Sequence, residues 1–94
     1  MWKKQTYQID KGGTKESVTG SVCGCWGIDK RENQYYVLTH VPTGFFVDSS
    51  RTATFLKKMV DCPEFAEYDG MFGHHDNSKL ITRIQSFRNE YGWK

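Results

Sequence analysis

The sequence predicts an α+β domain: an antiparallel three- to four-stranded meander followed by two amphipathic helices packed on one sheet face. Three observations predict it. Residues 5 to 47 alternate with period 2 and are broken by turn residues, and residues 53 to 60 and 80 to 91 place apolar side chains at period 3.6. Two helical stripes also need an apolar surface to lie on, and only the sheet offers one.

The first strand runs from Gln5 to Ile9 and alternates weakly, with Tyr7 and Ile9 on one face, and Lys11-Gly12-Gly13-Thr14 supplies a turn. Ser17 to Ile28 reads as one long strand. Val18, Val22, Trp26 and Ile28 share a face there, and Thr19, Ser21, Cys23 and Cys25 point the other way. Gly20 and Gly24 lie on the apolar face, which predicts a bulge or a close backbone approach and a strand bent over the helices. Asp29-Lys30-Arg31-Glu32-Asn33 is a polar connection. Gln34 to Val41 is the best strand, rich in β-branched and aromatic residues. Pro42-Thr43-Gly44 has the chemistry of a hairpin loop, and Phe45-Phe46-Val47 is the returning strand.

The period then changes. After the cap candidates Asp48, Ser49 and Ser50, a helix carries Ala53, Phe55, Leu56, Met59 and Val60 on one arc, opposite Arg51, Thr54, Lys57, Lys58 and Asp61. Pro63 ends it. Residues 64 to 73 follow no period. Asp76, Asn77 or Ser78 caps a last helix with the stripe Leu80, Ile81, Ile84, Phe87 and Tyr91, stopped by Gly92.

The 94 residues fit a single domain, 1–94, with no repeat, linker or low-complexity run. Aromatic residues at 15% argue against disorder. A net charge of +2 is too small to demand a nucleic-acid partner. Three cysteines, no long apolar segment and a start without a signal-peptide core lead to an expected cytoplasmic location with reduced thiols and no membrane partner. The oligomeric state is not legible.

Cys23, Cys25, Cys62, His74 and His75 hold enough soft donors for a tetrahedral zinc site, but Cys-Gly-Cys is not the spacing of a zinc module, and free cysteine also packs as a small hydrophobe. No metal or other cofactor is expected. A nucleophilic pair of Cys62 or Cys25 with His74 or His75 and Asp76 has no activating signal in the sequence, and there is no phosphate-binding glycine loop and no H-E-x-x-H. The expectation is therefore a protein without catalytic residues.

Aromatic residues are in surplus: Trp2, Tyr35, Tyr36, Phe45, Phe46, Phe65, Tyr68, Phe72 and Trp93 do not all fit one side of a small sheet. The segment from Phe65 to His75, aromatic and punctuated by glycine, is the expected recognition loop. Its partner-binding residues are Phe65, Tyr68, Phe72, His74 and His75, joined by the basic helix face of Arg51, Lys57 and Lys58; the bland alternative is a satellite cluster beside a solvated face. Tyr36 or Phe46 would instead stack bases if the second sheet face is open, which keeps a nucleic-acid partner in view.

Tyr36-Val37-Leu38-Thr39-His40-Val41-Pro42-Thr43-Gly44, followed by a strand, an amphipathic helix and Cys62-Pro63-Glu64-Phe65, resembles small bacteriophage-encoded proteins with a Thr-His-x-Pro-Thr-Gly hairpin. The resemblance covers residues 35 to 65 and implies an accessory protein made in a host cell, often an inhibitor of a host or anti-phage defence factor. It brings no catalytic residues with it. The expected function is thus a non-enzymatic, phage-type inhibitor that binds a host protein or protein complex. The alternatives are a small nucleic-acid-binding protein and a zinc-stabilised or Cys/His catalytic domain.

Overall fold

The computed structural model describes residues 2–31, 34–66 and 78–91. Five strands form an open antiparallel sheet in the order β1-β2-β3-β4-β5: β1 Lys3–Lys11, β2 Thr14–Cys23, β3 Trp26–Lys30, β4 Tyr36–His40 and β5 Phe45–Ser50. Three helices follow: α1 Ala53–Val60, the single turn α2 Pro63–Ala66, and α3 Ser78–Tyr91. The α+β class and the meander are as expected. The strand count is one above the expected range because the long strand read from Ser17 to Ile28 is two strands.

Its break is at Gly24-Cys25, a two-residue hairpin loop between the paired residues Cys23 and Trp26, with Gly24 at φ 61°. Glycine at the first central position suits a type II′ turn, whose twist matches the flanking strands. The turn also resets the alternation. Val22 now faces the same way as Gly27, so Val22 and Trp26, expected on one face, lie on opposite faces. A single core on one sheet face becomes two.

The larger core lies between the sheet and the helices. Trp26, Ile28 and Leu38 meet Phe55, Leu56, Met59 and Val60 of α1, Cys62 and Phe65, and Leu80, Ile84 and Phe87 of α3. The Trp26 ring sits edge-on to Phe65 at 5.0 Å and to His40 at 5.3 Å, a geometry that aromatic quadrupoles favour. The smaller core, Tyr7, Ile9 and Val22 with Val18 and Val41 against it, fills the opposite face.

That second core exists because the β1–β2 hairpin folds across the sheet. A Cβ on Gly20 would lie 2.1 Å from the Ile28 carbonyl oxygen, so only glycine lets β2 bend so closely over β3. A Cβ on Gly27 would lie 2.8 Å from the Tyr7 ring, which therefore crosses β3 at a bare backbone position. The Asp10 amide then donates to the Gly44 carbonyl at 2.9 Å, tying the end of β1 to the β4–β5 turn. The close approach expected at Gly20 is found, and the bend carries β2 away from the helices.

Asp29 and Lys30, read as a connection, belong to β3, and Asp29 is buried. The cap of α1 is Thr52, whose hydroxyl accepts from the Phe55 amide at 3.3 Å, and not Asp48, Ser49 or Ser50. Those three residues prolong β5 past a bulge between Leu38 and Thr39 that turns Asp48 inward. Asp48 is buried beside Arg88 of α3 at 3.5 Å and accepts from the Ser49 amide at 2.8 Å; burial pushes its carboxyl above the ordinary range. Of the expected α3 stripe, Leu80, Ile84 and Phe87 are buried, whereas Ile81 and Tyr91 are exposed because the sheet meets a narrower arc of the helix.

Leu56, fully buried, should cost about 2–5 kcal/mol on replacement with Ala, and Gly20→Ala about 1–3 kcal/mol or more through overlap with backbone. Urea midpoints measure both. His40 is buried and its imidazole is held below the ordinary 6.5 by desolvation. Its contribution to stability is therefore fully present above pH 6.5 and is lost as pH falls through the folded value. Stability should drop from pH 7.5 to pH 5.5, and drop by less in His40→Phe, by denaturant titration at the two values (pH chosen about one unit either side of histidine's usual range).

Candidate interaction surface

Beyond the Gly20 bend, β2 and β3 part company. Their pairing is confined to Ser21–Ile28, Val22–Gly27 and Cys23–Trp26, while β2 stays paired with β1 from Thr14 to Val22 and β3 with β4 along its whole length. The resulting cleft, about 680 Å³, is bordered by Lys11, Glu16, Val18 and Thr19 on one flank and by Asp29, Lys30, Arg31, Val37 and Phe46 on the other.

The floor is held by a buried carboxylate. The Tyr7 hydroxyl donates to Asp29 Oδ1 at 3.2 Å, Arg31 donates through Nε to Oδ2, and a terminal guanidinium nitrogen reaches Oδ1 at 3.2 Å. Two guanidinium donors and one phenol satisfy a charge that would otherwise be costly to bury. Burial, and then the neighbouring carboxylate, push the Tyr7 phenol far above its ordinary 10.0, so it stays a donor.

The other charges at this end are matched as well. Lys11 pairs with Glu16 at 3.1 Å, and Lys15 lies 3.8 Å from Asp10. Phe46 stands out as apolar and 59% exposed, on the same face as Val37. The helices lie on the other face, so of the two aromatics named as base-stacking candidates only Phe46 meets the condition. Tyr36 is half-buried against the larger core with Lys30 6.0 Å above its ring.

The recognition loop read from the sequence falls differently. Phe65, expected as an anchor, is 1% exposed because α2 turns its ring onto Trp26. Tyr68, Phe72, His74 and His75 lie outside the described residues. Arg51 sits 5.9 Å from the Tyr35 ring and Lys57 5.7 Å from the Trp2 ring, so both cations lie over aromatic faces. Lys58 is exposed and borders a second cleft of about 470 Å³ with Asp61, Cys62, Pro63, Arg83, Phe87 and Tyr91.

Cys23 ends β2 and Cys25 occupies the turn, both half-buried, whereas Cys62 is buried with its thiol 3.9 Å from the Lys58 carbonyl. Burial, reinforced by the nearby Cys23, raises the Cys25 thiol, the opposite of an activated nucleophile. Among the described residues, no group of three or more His, Cys, Asp or Glu side chains could hold a metal ion, and no helix is long and apolar enough to cross a membrane.

Sequence reasoning named Phe46 but missed Asp29, Arg31, Lys11 and Glu16. The available signal was Asp29 at the same parity as Gly27, a charged residue two positions from a glycine and directly after the apolar Ile28. Tyr7→Phe removes one donor from the buried Asp29 carboxylate and should cost about 1–3 kcal/mol, read by chemical denaturation. No protein family, curated protein or solved structure matches this chain.

Proposed function

We propose that the chain is a non-enzymatic binding protein that engages a protein partner through the open face of its sheet. The observation that carries this reading is Phe46, an aromatic side chain left 59% exposed beside a cleft in which Lys11 is paired with Glu16 and Arg31 with Asp29. An apolar anchor ringed by satisfied polar groups is the usual anatomy of an interface hot spot. The sequence resemblance supports a partner among host or anti-phage defence factors, with the chain acting as an inhibitor by occupying a surface.

A nucleic-acid partner is the second reading, favoured by Phe46 as a stacking platform. Against it stand the carboxylates that neutralise the cations at the cleft, since polyanion binding needs basic groups that are free to replace counterions. A further candidate contact comes from the sequence alone: Tyr68, Phe72, His74 and His75 together with the cations Arg51, Lys57 and Lys58.

A pull-down from host extract identifies the partner. Phe46→Ala should then weaken binding at least about tenfold, near 1.4 kcal/mol, with an unchanged melt. Affinity should vary by only a few-fold from about 50 to 200 mM salt, where a binder of many phosphates loses about a thousandfold or more. If Tyr68→Ala with Phe72→Ala abolishes binding and Phe46→Ala leaves it intact, the contact belongs to the other segment.

A further inference from the structure

Antiparallel ladders alternate, and the pair that flanks a two-residue hairpin loop exchanges both of its hydrogen bonds. Lys11 and Thr14 are that pair around Gly12-Gly13, so Thr14, Glu16, Val18 and Gly20 turn their backbone groups toward β1. Lys15, Ser17 and Thr19 turn theirs outward. Ser21, next in that outward series, meets β3 opposite Ile28, but among the described residues no strand pairs with the outward side of Thr14 to Gly20. By the same alternation Lys30 turns its backbone into the cleft from the β3 side.

The cleft lining agrees with this. Thr19 and Lys30 both border it, yet the Thr19 hydroxyl is engaged with Thr6 at 3.0 Å and the Lys30 amine lies over Tyr36, on the opposite face. With those polar groups engaged elsewhere, the alternation of the ladder leaves their backbones facing the cleft. The cleft is a split in the sheet, with exposed amides and carbonyls on its walls, and such groups are strong, directional hydrogen-bonding sites.

We propose that the outward edge of β2, from Lys15 to Thr19, accepts an extended and largely uncharged peptide segment of the protein partner as an added strand in the split between β2 and β3. The proposal rests on the protein-binding reading above and deepens it. Charge matching selects the occupant: Lys11 is matched by Glu16, Lys15 by Asp10 and Arg31 by Asp29, and the Lys30 amine is drawn over Tyr36 on the other face, so among the described residues no unmatched charge points into the cleft to select an acidic or basic ligand. What remains for recognition is backbone pairing together with the apolar side chains of Val18, Val37 and Phe46. In strand addition the main chain supplies affinity and alternate side chains supply specificity, and here every second peptide side chain would face that apolar trio.

The test uses short random peptides displayed as a library and selected on the whole chain. Selected peptides should carry apolar residues at alternate positions and slow amide exchange at Lys15, Ser17 and Thr19 at least about tenfold. Ser17→Pro removes an outward donor without touching the β1 ladder, a position where edge strands tolerate proline, and should weaken those peptides at least about tenfold. The exchange measurement needs no variant, so the test stands even if Ser17→Pro does not fold. Protection confined to α1 or α3 would overturn strand addition while leaving a protein-binding chain. Protection of the same amides that grows with the chain's own concentration, without peptide, would assign the edge to a second copy and also overturn it. Failure to select any peptide overturns the inference, whereas the protein-binding reading stands or falls separately on partner capture and Phe46→Ala.

Discussion

Contact between the Tyr7 ring and the bare backbone of Gly27 is the constraint on which the second face of the sheet depends. The ring can lie there only because residue 27 has no Cβ, and β2 can deliver β1 to that place only because residue 20 has none. Once the ring is seated, its hydroxyl reaches Asp29, and Asp29 in turn fixes Arg31 at the mouth of the cleft. A carboxylate buried without these partners would be strongly unfavourable, so the bend and the ion pair support each other. The bend that makes the small core also pulls β2 off β3 and opens the split.

The helix side obeys simpler rules. Aliphatic and aromatic side chains at helical spacing close over Trp26, Ile28 and Leu38, and Thr52 fixes where α1 begins. Asp48, turned inward by the bulge in β5, meets Arg88 and so relates the last helix to the last strand. The two faces of one sheet therefore differ in character: one is sealed by large apolar contacts, and the other is held by a small apolar core and a few specific polar contacts.

That difference decides what the sequence could reveal. The period of α1, the Pro42-Thr43-Gly44 turn and the strand from Gln34 to Val41 are local signals, and each corresponds to an element of the structure. The split of residues 17 to 28 was hidden because Gly24 reads equally as a bulge or as a turn, and the choice between them inverts the face of every following residue. The cleft was hidden for a different reason. Asp29 and Arg31 sit in a polar run whose burial follows only from Tyr7, twenty-two positions earlier in the chain, a long-range contact with no local pattern. Phe65 was misplaced because a short helix after Pro63 gives too few residues for a period to be visible.

Every strand pairs with its neighbour in sequence, so the meander itself forms from short-range contacts, the topology associated with rapid folding. The tie from Asp10 to Gly44 is of another kind, closing a loop that contains all four hairpin connections. The β1–β2 hairpin is fastened to the rest by that corner, by the Lys15 amine on the Thr43 carbonyl, by the Tyr7–Asp29 hydrogen bond, by the small Tyr7–Ile9–Val22 core and by three residue pairs with β3. Its apolar contacts are few beside those of the helix-covered core, which is the pattern of a flap, bent at Gly20, that opens at a lower free energy. An incoming strand would in that case bind the flap edge and strap it shut, so that association and rigidification become one event.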